Sequence, residues 1–192
     1  MRALPCHLDG LTVIEPAVYG DERGFFAETY RRAWHESAGI PAAEEFIQDN
    51  HSRSARGVVR GMHFHIGPGV AKLVRCAHGR ILDVAVDLRR GSPTYGQWEG
   101  VELDSETLRE LYVPVGFAHG FCVLSAVADV LYKQTAYYDP AVERGIAWDD
   151  PDIAIRWPLP AAELTISERD SSAPRLREVA AELPFIYVAG GD

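Results

Sequence analysis

The sequence predicts a mainly β protein, built as a jelly roll or barrel with short helices at its periphery. Through most of the chain, apolar residues recur at every second position, and Gly, Pro, Asn and Asp separate these short runs. Only two segments have a helical pattern. The chain has 192 residues, of which 47% are hydrophobic, enough for one well-buried core. We therefore expect a single domain over residues 1–192.

The two predicted helices lie near opposite ends of the chain. The first covers residues 28–39 (ETYRRAWHESAG), which end on a glycine. The second covers residues 173–183 (APRLREVAAEL), which a proline follows. Both are short, as expected for helices that flank a barrel rather than build its core.

A strand is predicted at the start of residues 81–96 (ILDVAVDLRRGSPTYG). Its apolar face consists of Leu82, Val84, Val86 and Leu88. Asp83 and Asp87 take the other face, and a Gly-Ser-Pro turn follows. The alternation predicts a strand that is buried on one side only.

A later strand is predicted within residues 129–138 (DVLYKQTAYY). Val130, Tyr132 and Gln134 point to one side of this strand, because successive side chains alternate. Leu131, Lys133 and Thr135 point to the other. Tyr132 and Lys133 therefore face opposite sides of the sheet.

Composition excludes several classes of protein. The formal net charge of -9 and the pI near 5.2 argue against a general nucleic-acid binder, which needs a basic face. The 3 cysteines are an odd number with no CxxC pair, as in a cytosolic protein with buried thiols. The N-terminal residues lack a signal-peptide pattern, and no apolar run reaches membrane-spanning length. We expect a cytoplasmic protein with no membrane or nucleic-acid partner.

One glycine-punctuated segment, GVVRGMHFHIGPGVAKLVRCAHG, carries the most information. It resembles the first signature of the cupin fold, in which Gly57, His63, His65 and Gly79 match the glycines and the His-x-His pair. Lys72 stands where a metal-binding cupin has a carboxylate, and a protonated ammonium cannot ligate a cation. The substitution indicates acid–base chemistry without a metal.

A second segment and several ordered blocks extend the resemblance. In LYVPVGFAHGF, Pro114, Gly116 and His119 are similar to the second cupin signature, so a cupin jelly-roll barrel is expected. The blocks RGMHF, AKLVR, LDVAVDLRRGSPTYGQW, VPVGFAHGF, VLYKQTAYYDP, WDDPDIAIRWP and ISERD resemble the dTDP-4-dehydrorhamnose 3,5-epimerase family over nearly the whole chain. The resemblance implies inversion of a dTDP-4-keto-6-deoxyhexose at C3 and C5, without a cofactor.

The resemblance also implies four catalytic residues. His63 matches the general base that removes a proton next to the C4 ketone, and Asp170 the carboxylate that orients it. Lys72 matches the cation that stabilises the enolate. Tyr132 matches the acid that returns a proton on the opposite face of the sugar.

Substrate-binding residues follow from the same matches. Arg23, Phe26 and Glu28 resemble a segment that reaches into the neighbouring subunit's site, which implies a homodimer. The positions that hold the diphosphate and sugar are matched by Gln48, Asn50, Arg60, His119 and Arg169, and Tyr138 matches an aromatic residue that lies over the ligand. Arginine suits phosphate because its guanidinium group donates two hydrogen bonds.

Three alternatives remain open. The family has a residue other than histidine two places after the base, and a longer loop before the lysine, so His63, His65 and His119 form a candidate metal site. A metal-dependent cupin is therefore one alternative, and a non-catalytic nucleotide-sugar binder is another. The nearest alternative is an epimerase that acts at C3 or C5 alone, which sequence motifs do not separate from a 3,5-epimerase.

Overall fold

The computed structural model describes residues 1–40 and 45–189; residues 41–44 and 190–192 of the predicted domain lie outside the described residues. The strands are β1 (Arg2–Pro5), β2 (Thr12–Glu15), β3 (Val18–Asp21), β4 (Gly24–Ala27), β5 (Gln48–Ala55), β6 (Val59–His65), β7 (Lys72–His78), β8 (Arg80–Asp87), β9 (Trp98–Asp104), β10 (Glu110–Val113), β11 (Phe117–Val123), β12 (Val127–Gln134) and β13 (Glu143–Gly145). The helices are α1 (Arg32–Ser37), α2 (Glu168–Ser171) and α3 (Leu176–Val179), with 3-10 turns at Ala161–Glu163 and Ala180–Glu182. No helix in these two described ranges is long and apolar enough to cross a membrane.

Two antiparallel sheets form the body of the molecule. One has six strands in the order β1-β2-β10-β7-β12-β5, and the other has five in the order β13-β6-β11-β8-β9. Most neighbours in each sheet are not consecutive in sequence, which is the connectivity of a jelly roll. The predicted mainly β fold is confirmed. A separate hairpin of β3 and β4 lies outside both sheets.

The main core fills one part of the space between the two sheets. Its buried members come from strands of both sheets and include Val74, Ile81, Ala85, Leu111, Phe117 and Val130. A second apolar cluster joins the outer face of the five-stranded sheet to the C-terminal segments, through Val84, Val86, Ile146, Ile153, Leu176 and Leu183. The five-stranded sheet is therefore covered on both faces.

This double coverage overturns the prediction of a half-buried strand at residues 81–88. Asp83 and Asp87 are wholly buried in β8, because they face the interior of the barrel while the apolar side packs under the C-terminal segments. Each aspartate has polar partners there: Asp83 contacts His119, and Asp87 accepts hydrogen bonds from Arg89, Ser92 and Thr94. The alternation of apolar and polar residues therefore predicted that Asp83 and Asp87 face solvent, whereas both carboxylates are buried.

Both predicted helices are shorter than expected. The first begins only at Arg32, because the chain before it completes the hairpin strand β4 and is still extended at Arg31. The second begins at Leu176, after Pro174, and passes into a 3-10 turn at Ala180. The strand predicted within residues 129–138 is confirmed as β12, with Val130 and Gln134 buried and Lys133 paired with Asp49 on the opposite face.

A β-bulge in β6 determines which side chains reach the interior. His63 lies opposite His119 and Arg60 opposite Phe121, so three steps along β6 match two along β11. Arg60 and His63 can therefore face the same side. Gly61 lies at the bulge with a φ of 135°, and a Cβ placed there would be 2.5 Å from the Gly120 Cα. The bulge thus depends on two glycines in contact.

Gly61→Ala is expected to lower the free energy of unfolding by about 3 kcal/mol or more, because the new methyl group would press on backbone atoms of β11. Gly91→Ala is the matched control. Gly91 also has a positive φ of 82°, but a Cβ there would meet nothing within 4 Å, so the cost should be about 1 kcal/mol. Urea unfolding of both variants measures the difference. Equal losses would show that contact with Gly120 is not limiting.

Candidate active site

A cavity of about 530 Å³ opens between the two sheets, next to the apolar core. All four predicted catalytic residues line it, namely His63, Lys72, Tyr132 and Asp170. Six of the predicted binding residues line it as well: Gln48, Asn50, Arg60, His119, Tyr138 and Arg169. Residues more than 100 positions apart in the sequence therefore meet around one space.

His63 and Asp170 form a hydrogen-bonded pair in the wall of the cavity. The His63 Nε2 lies 2.7 Å from the Asp170 Oδ1. Asp170 is held in turn: its Oδ2 accepts a hydrogen bond from the Gly61 amide at 3.2 Å, and its own amide donates to the Ser167 Oγ at 3.1 Å. The second ring nitrogen of His63, Nδ1, is thereby left for a ligand.

The environment of Asp170 keeps this carboxyl group ionised. Burial alone would raise the pKa of Asp170, but the hydrogen bond with His63, the histidine's charge and the Gly61 amide together hold the pKa below its ordinary value. An ionised Asp170 favours the ring tautomer with a proton on Nε2 and stabilises the imidazolium that forms when Nδ1 takes a proton. The pair thus has the arrangement of a general base with its orienting carboxylate.

His119, which lines the cavity, forms a second histidine–carboxylate pair with the buried Asp83. The His119 Nε2 is 2.7 Å from the Oδ1 of Asp83, while no residue in the described ranges hydrogen-bonds the buried Oδ2 of Asp83. Burial lowers the pKa of His119 despite the attraction of Asp83, so the ring is neutral near neutral pH. Asp83 was missed from the sequence as a site residue, because its place in an alternating strand indicated a solvent-facing side chain.

Lys72 brings a positive charge into the cavity. Burial lowers its pKa from 10.5 to about 8, although the negative charges of Glu143 and Asp83 counteract the shift. At neutral pH most of the ammonium group remains protonated. In the ranges that the structure describes, the Lys72 side chain makes no hydrogen bond, so its three N–H donors are available to a ligand.

Tyr132 faces His63 across the cavity. His63 belongs to β6 of the five-stranded sheet, whereas Lys72 and Tyr132 belong to β7 and β12 of the six-stranded sheet. Burial raises the pKa of Tyr132, with a further contribution from Glu143, so the phenol keeps its proton. The site therefore has a histidine–carboxylate pair on one wall and a protonated phenol on the opposite wall.

The outer part of the cavity is lined by hydrogen-bonding side chains. Gln48 donates to Asn50 at 2.9 Å and accepts from the Tyr138 amide at 2.9 Å, which fixes these three residues together. Arg169 forms an ion pair with Glu143 at 2.6 Å. Glu143 lines the cavity and was not predicted; it lies on the short strand β13, in a stretch whose sequence gave no signal for a site.

Arg23, Phe26 and Glu28 do not line the cavity of their own chain. Arg23 is in the turn of the exposed β3–β4 hairpin and pairs with Asp21, and the Phe26 side chain is 70% exposed on β4. Glu28 follows the hairpin and pairs with Arg31. The hairpin projects aromatic side chains into solvent.

The three-histidine alternative has no support from the geometry. His63 and His119 each direct Nε2 at a carboxylate oxygen 2.7 Å away. Within residues 1–40 and 45–189, no three His, Cys, Asp or Glu side chains are grouped so that they could hold a metal ion. His65 lines the cavity beside the pair of His63 and Asp170, but its ring makes no hydrogen bond to the described residues.

Comparison with known proteins gives consistent matches over most of the chain. A family model described as dTDP-4-dehydrorhamnose 3,5-epimerase matches residues 5–178. A dTDP-4-dehydrorhamnose 3,5-epimerase of Pseudomonas aeruginosa is 52% identical over 171 residues, which cover 88% of this chain and 93% of the relative. A dTDP-4-dehydrorhamnose 3-epimerase of Streptomyces niveus is 44% identical over 93% of this chain and 85% of its own.

A solved structure matches equally well. The dTDP-6-deoxy-D-glucose-3,5-epimerase of Legionella pneumophila, in complex with dTDP-4-keto-L-rhamnose, superposes with a TM-score of 0.93 at 46% identity. The match covers 98% of this chain and 99% of the other. The two chains therefore share the jelly-roll fold throughout.

Proposed function

Because this chain belongs to the dTDP-4-dehydrorhamnose 3,5-epimerase family, we propose that it epimerises a dTDP-4-keto-6-deoxyhexose at C3 and C5. The observation that carries the proposal is the placement of the His63–Asp170 pair on one wall of the cavity, with Lys72 and Tyr132 on the other. This arrangement suits a reaction that removes a proton from one face of a sugar and returns one to the other face.

In the first step, the Nδ1 of His63 takes the proton from the carbon next to the ketone. The electron pair of the broken C–H bond forms the C=C bond of an enolate, and charge moves to the oxygen on C4. Lys72 stabilises this oxyanion, because its ammonium group is in a partly desolvated cavity where electrostatic attraction is strong. Asp170 stabilises the imidazolium of His63.

In the second step, Tyr132 donates its phenolic proton to the carbon on the opposite face, and the enolate collapses to the ketone. The raised pKa of Tyr132 makes the phenol a weak acid toward water, whereas an enolate carbon is basic enough to accept its proton. The imidazolium loses its proton and the phenolate regains one from solvent, which completes the cycle. Neither His63 nor Tyr132 has to move across the cavity during the reaction, because the two residues belong to different sheets.

The remaining cavity residues are proposed to bind the nucleotide. Arg60 and Arg169 supply guanidinium groups for the diphosphate, and the half-exposed ring of Tyr138 supplies a surface for stacking. Gln48, Asn50 and His119 line the same cavity and supply hydrogen bonds. None of these roles needs a metal or an organic cofactor.

We further propose a homodimer in which the β3–β4 hairpin completes a neighbouring site. Its exposed aromatic side chains, including Phe26, and the charged Arg23 and Glu28 provide a surface suited to contact with a nucleotide held by another copy.

Sedimentation equilibrium tests the dimer. Arg23→Ala should weaken dTDP binding without changing the mass of the assembly, and a monomeric wild type would contradict the proposal.

Proton NMR in deuterium oxide tests the activity. The C3 and C5 signals of dTDP-4-keto-6-deoxyglucose are followed separately while the protein is present, because each proton removed is replaced by deuterium. Loss of both signals, with formation of the inverted sugar, is the expected result. Absence of exchange at either carbon would contradict the proposal.

An epimerase that acts at one carbon only is the second candidate. The 44% identical relative from Streptomyces niveus, which is named a 3-epimerase, supports keeping it. Such an enzyme would share the base, cation and acid and would differ in how the ketosugar is held. In the same NMR experiment it would exchange C3 or C5, but not both.

Tyr132→Phe should slow net inversion more than it slows deuterium exchange. The phenol acts after the enolate forms, so its removal leaves the proton transfer to His63 in place and impairs only reprotonation on the opposite face. We expect inversion to fall about a hundredfold. Tyr137→Phe, at an exposed neighbouring tyrosine outside the cavity, is the matched control. Equal loss of inversion and exchange would assign Tyr132 to binding or enolate formation instead.

A further inference from the structure

His65 is a histidine of the cavity wall that the mechanism above does not use. It lies on β6 two positions after His63, so both side chains point to the same face of the strand. The residue is 5% exposed, and its ring makes no hydrogen bond to any residue in the described ranges. Neither ring nitrogen of His65 is fully enclosed by protein atoms. The nitrogens therefore open into the cavity.

In the described ranges the imidazole of His65 has no protein partner, and its nitrogens are left to whatever occupies the cavity. Folded proteins nearly always give a side chain this little exposed a hydrogen-bond partner. The Asp83–His119 and Asp170–His63 pairs show the usual solution, since each has a carboxylate 2.7 Å from Nε2. His65 has no such contact with any carboxylate of residues 1–40 and 45–189. This contrast indicates that its partner is a ligand in the cavity.

Lys72 lines the same cavity as His65 and acts electrostatically on its ring, so a ligand group bound to His65 lies within reach of the Lys72 charge. The charged groups that act on the ring are those of Lys72, Glu143, Asp139 and His63. Glu143 lies directly opposite His65 in the pairing of β6 with β13. Burial and the charge of Lys72 lower the pKa of His65, so the ring is neutral and can both donate and accept a hydrogen bond.

We propose that His65 hydrogen-bonds the 3-hydroxyl group of the ketosugar and so orients C3 toward His63. The inference rests on the proposed function, in which Lys72 holds the oxygen on C4. The two carbons next to that ketone differ chemically: C3 carries a hydroxyl group, whereas C5 carries a methyl group and the ring oxygen. A neutral imidazole beside the C4 oxygen therefore has a two-way hydrogen-bonding partner on the C3 side only.

This role makes His65 a determinant of which carbon exchanges faster. Holding the 3-hydroxyl fixes the C3–H bond relative to the Nδ1 of His63, and loss of orientation slows a proton transfer steeply. Removal of the C5 proton needs the other side of the ring to face the base, so it does not depend on this hydrogen bond. The predicted effect of losing His65 is therefore selective.

The test measures C3 and C5 exchange of dTDP-4-keto-6-deoxyglucose by proton NMR in deuterium oxide. His65→Leu, which keeps volume and loses hydrogen bonding, should slow C3 exchange about tenfold and change C5 exchange less than about twofold. His65→Gln, whose amide also donates and accepts, should restore C3 exchange to within about threefold of wild type. Thermal unfolding and dTDP binding of each variant show that fold and nucleotide site are intact.

Several outcomes would overturn the inference. Equal slowing at both carbons, no change at C3, or failure of the Gln variant to recover more than the Leu variant would each exclude a hydrogen bond to the 3-hydroxyl. Should His65→Leu not fold, His65→Met provides the same comparison with a more adaptable side chain. Wild-type protein is measured first. If it exchanges neither proton, the proposed function fails; if it exchanges them and the variants lack selectivity, only the His65 inference fails.

Discussion

His63→Ala should abolish deuterium exchange at C3 and at C5 together. One base serves every proton removal in the proposed mechanism, and Asp170 holds the Nε2 of that base at 2.7 Å. Loss of a general base costs up to about ten-thousandfold in rate, so we expect exchange to fall by at least about a thousandfold. The measurement is the NMR assay with both signals followed for several hours.

His78→Ala is the matched control for this loss. His78 is an exposed histidine at the end of β7, outside the cavity, so its removal should leave exchange unchanged. Binding of dTDP to His63→Ala should stay near the wild-type level, because the nucleotide is proposed to lie away from the base. Exchange at either carbon near the wild-type rate would remove His63 from its assigned role.

Lys72→Met should lower the rate of enolate formation by about a hundredfold to a thousandfold. Methionine is similar in length to lysine and keeps the packing, but it cannot stabilise an oxyanion. Exchange at both carbons should fall in parallel, because both enolates place their charge on the same C4 oxygen. Lys133→Met is the control, since Lys133 points away from the cavity and pairs with Asp49. Loss of exchange at one carbon only would contradict a shared oxyanion site.

The same substitution should make the protein more stable at pH 7. Burial lowers the pKa of folded Lys72 from 10.5 to about 8, so the unfolded chain binds the proton more tightly than the folded one. The charged lysine therefore costs stability below pH 8, and the cost fades as pH rises from 8 to 10.5. Removing the amine should recover about 2 kcal/mol in urea unfolding at pH 7. A Lys72→Met variant less stable than the wild type would contradict the assignment of the lowered Lys72 pKa to burial.

Lys72 also affects the pH dependence of the wild type. As pH rises through about 8 the ammonium group loses its proton, and the charge that stabilises the enolate is lost with it. Exchange at both carbons should therefore decline on the alkaline side of pH 8. The decline should be absent from Lys72→Met, which has no proton to lose.

The sequence predicted which side chains line the cavity better than it predicted the local structure around them. His63 and Lys72 occupy spacings within a recognisable motif, and Asp170 and Tyr132 are within ordered blocks, so family resemblance could place all four without coordinates. Their assembly around one cavity required that the two sheets face each other and that α2 bring Asp170 against His63 of β6. Their catalytic roles stay predictions until the variants are measured.

Residues that depend on tertiary context were harder to predict. Asp83 was assigned to a solvent face because alternation alone does not show that a C-terminal segment covers the far side of β8. The first residues of both helices were predicted too early in the chain, because the strand β4 and Pro174 compete with helical propensity. Glu143 belongs to a strand of three residues, too short to produce any periodic pattern.

The contact between Gly61 and Gly120 restricts how proteins with this site can diverge. A Cβ at either glycine would lie within 3 Å of backbone or of a neighbouring side chain. Substitutions at these glycines should therefore destabilise the fold before they change which substrate the protein prefers. His65 is only four residues from Gly61, but its buried ring lines the cavity and makes no hydrogen bond to the described residues. Laboratory evolution toward new ketosugars should therefore accumulate substitutions at His65 and at the outer cavity residues. The glycines of the β-bulge that positions His63 should stay unchanged.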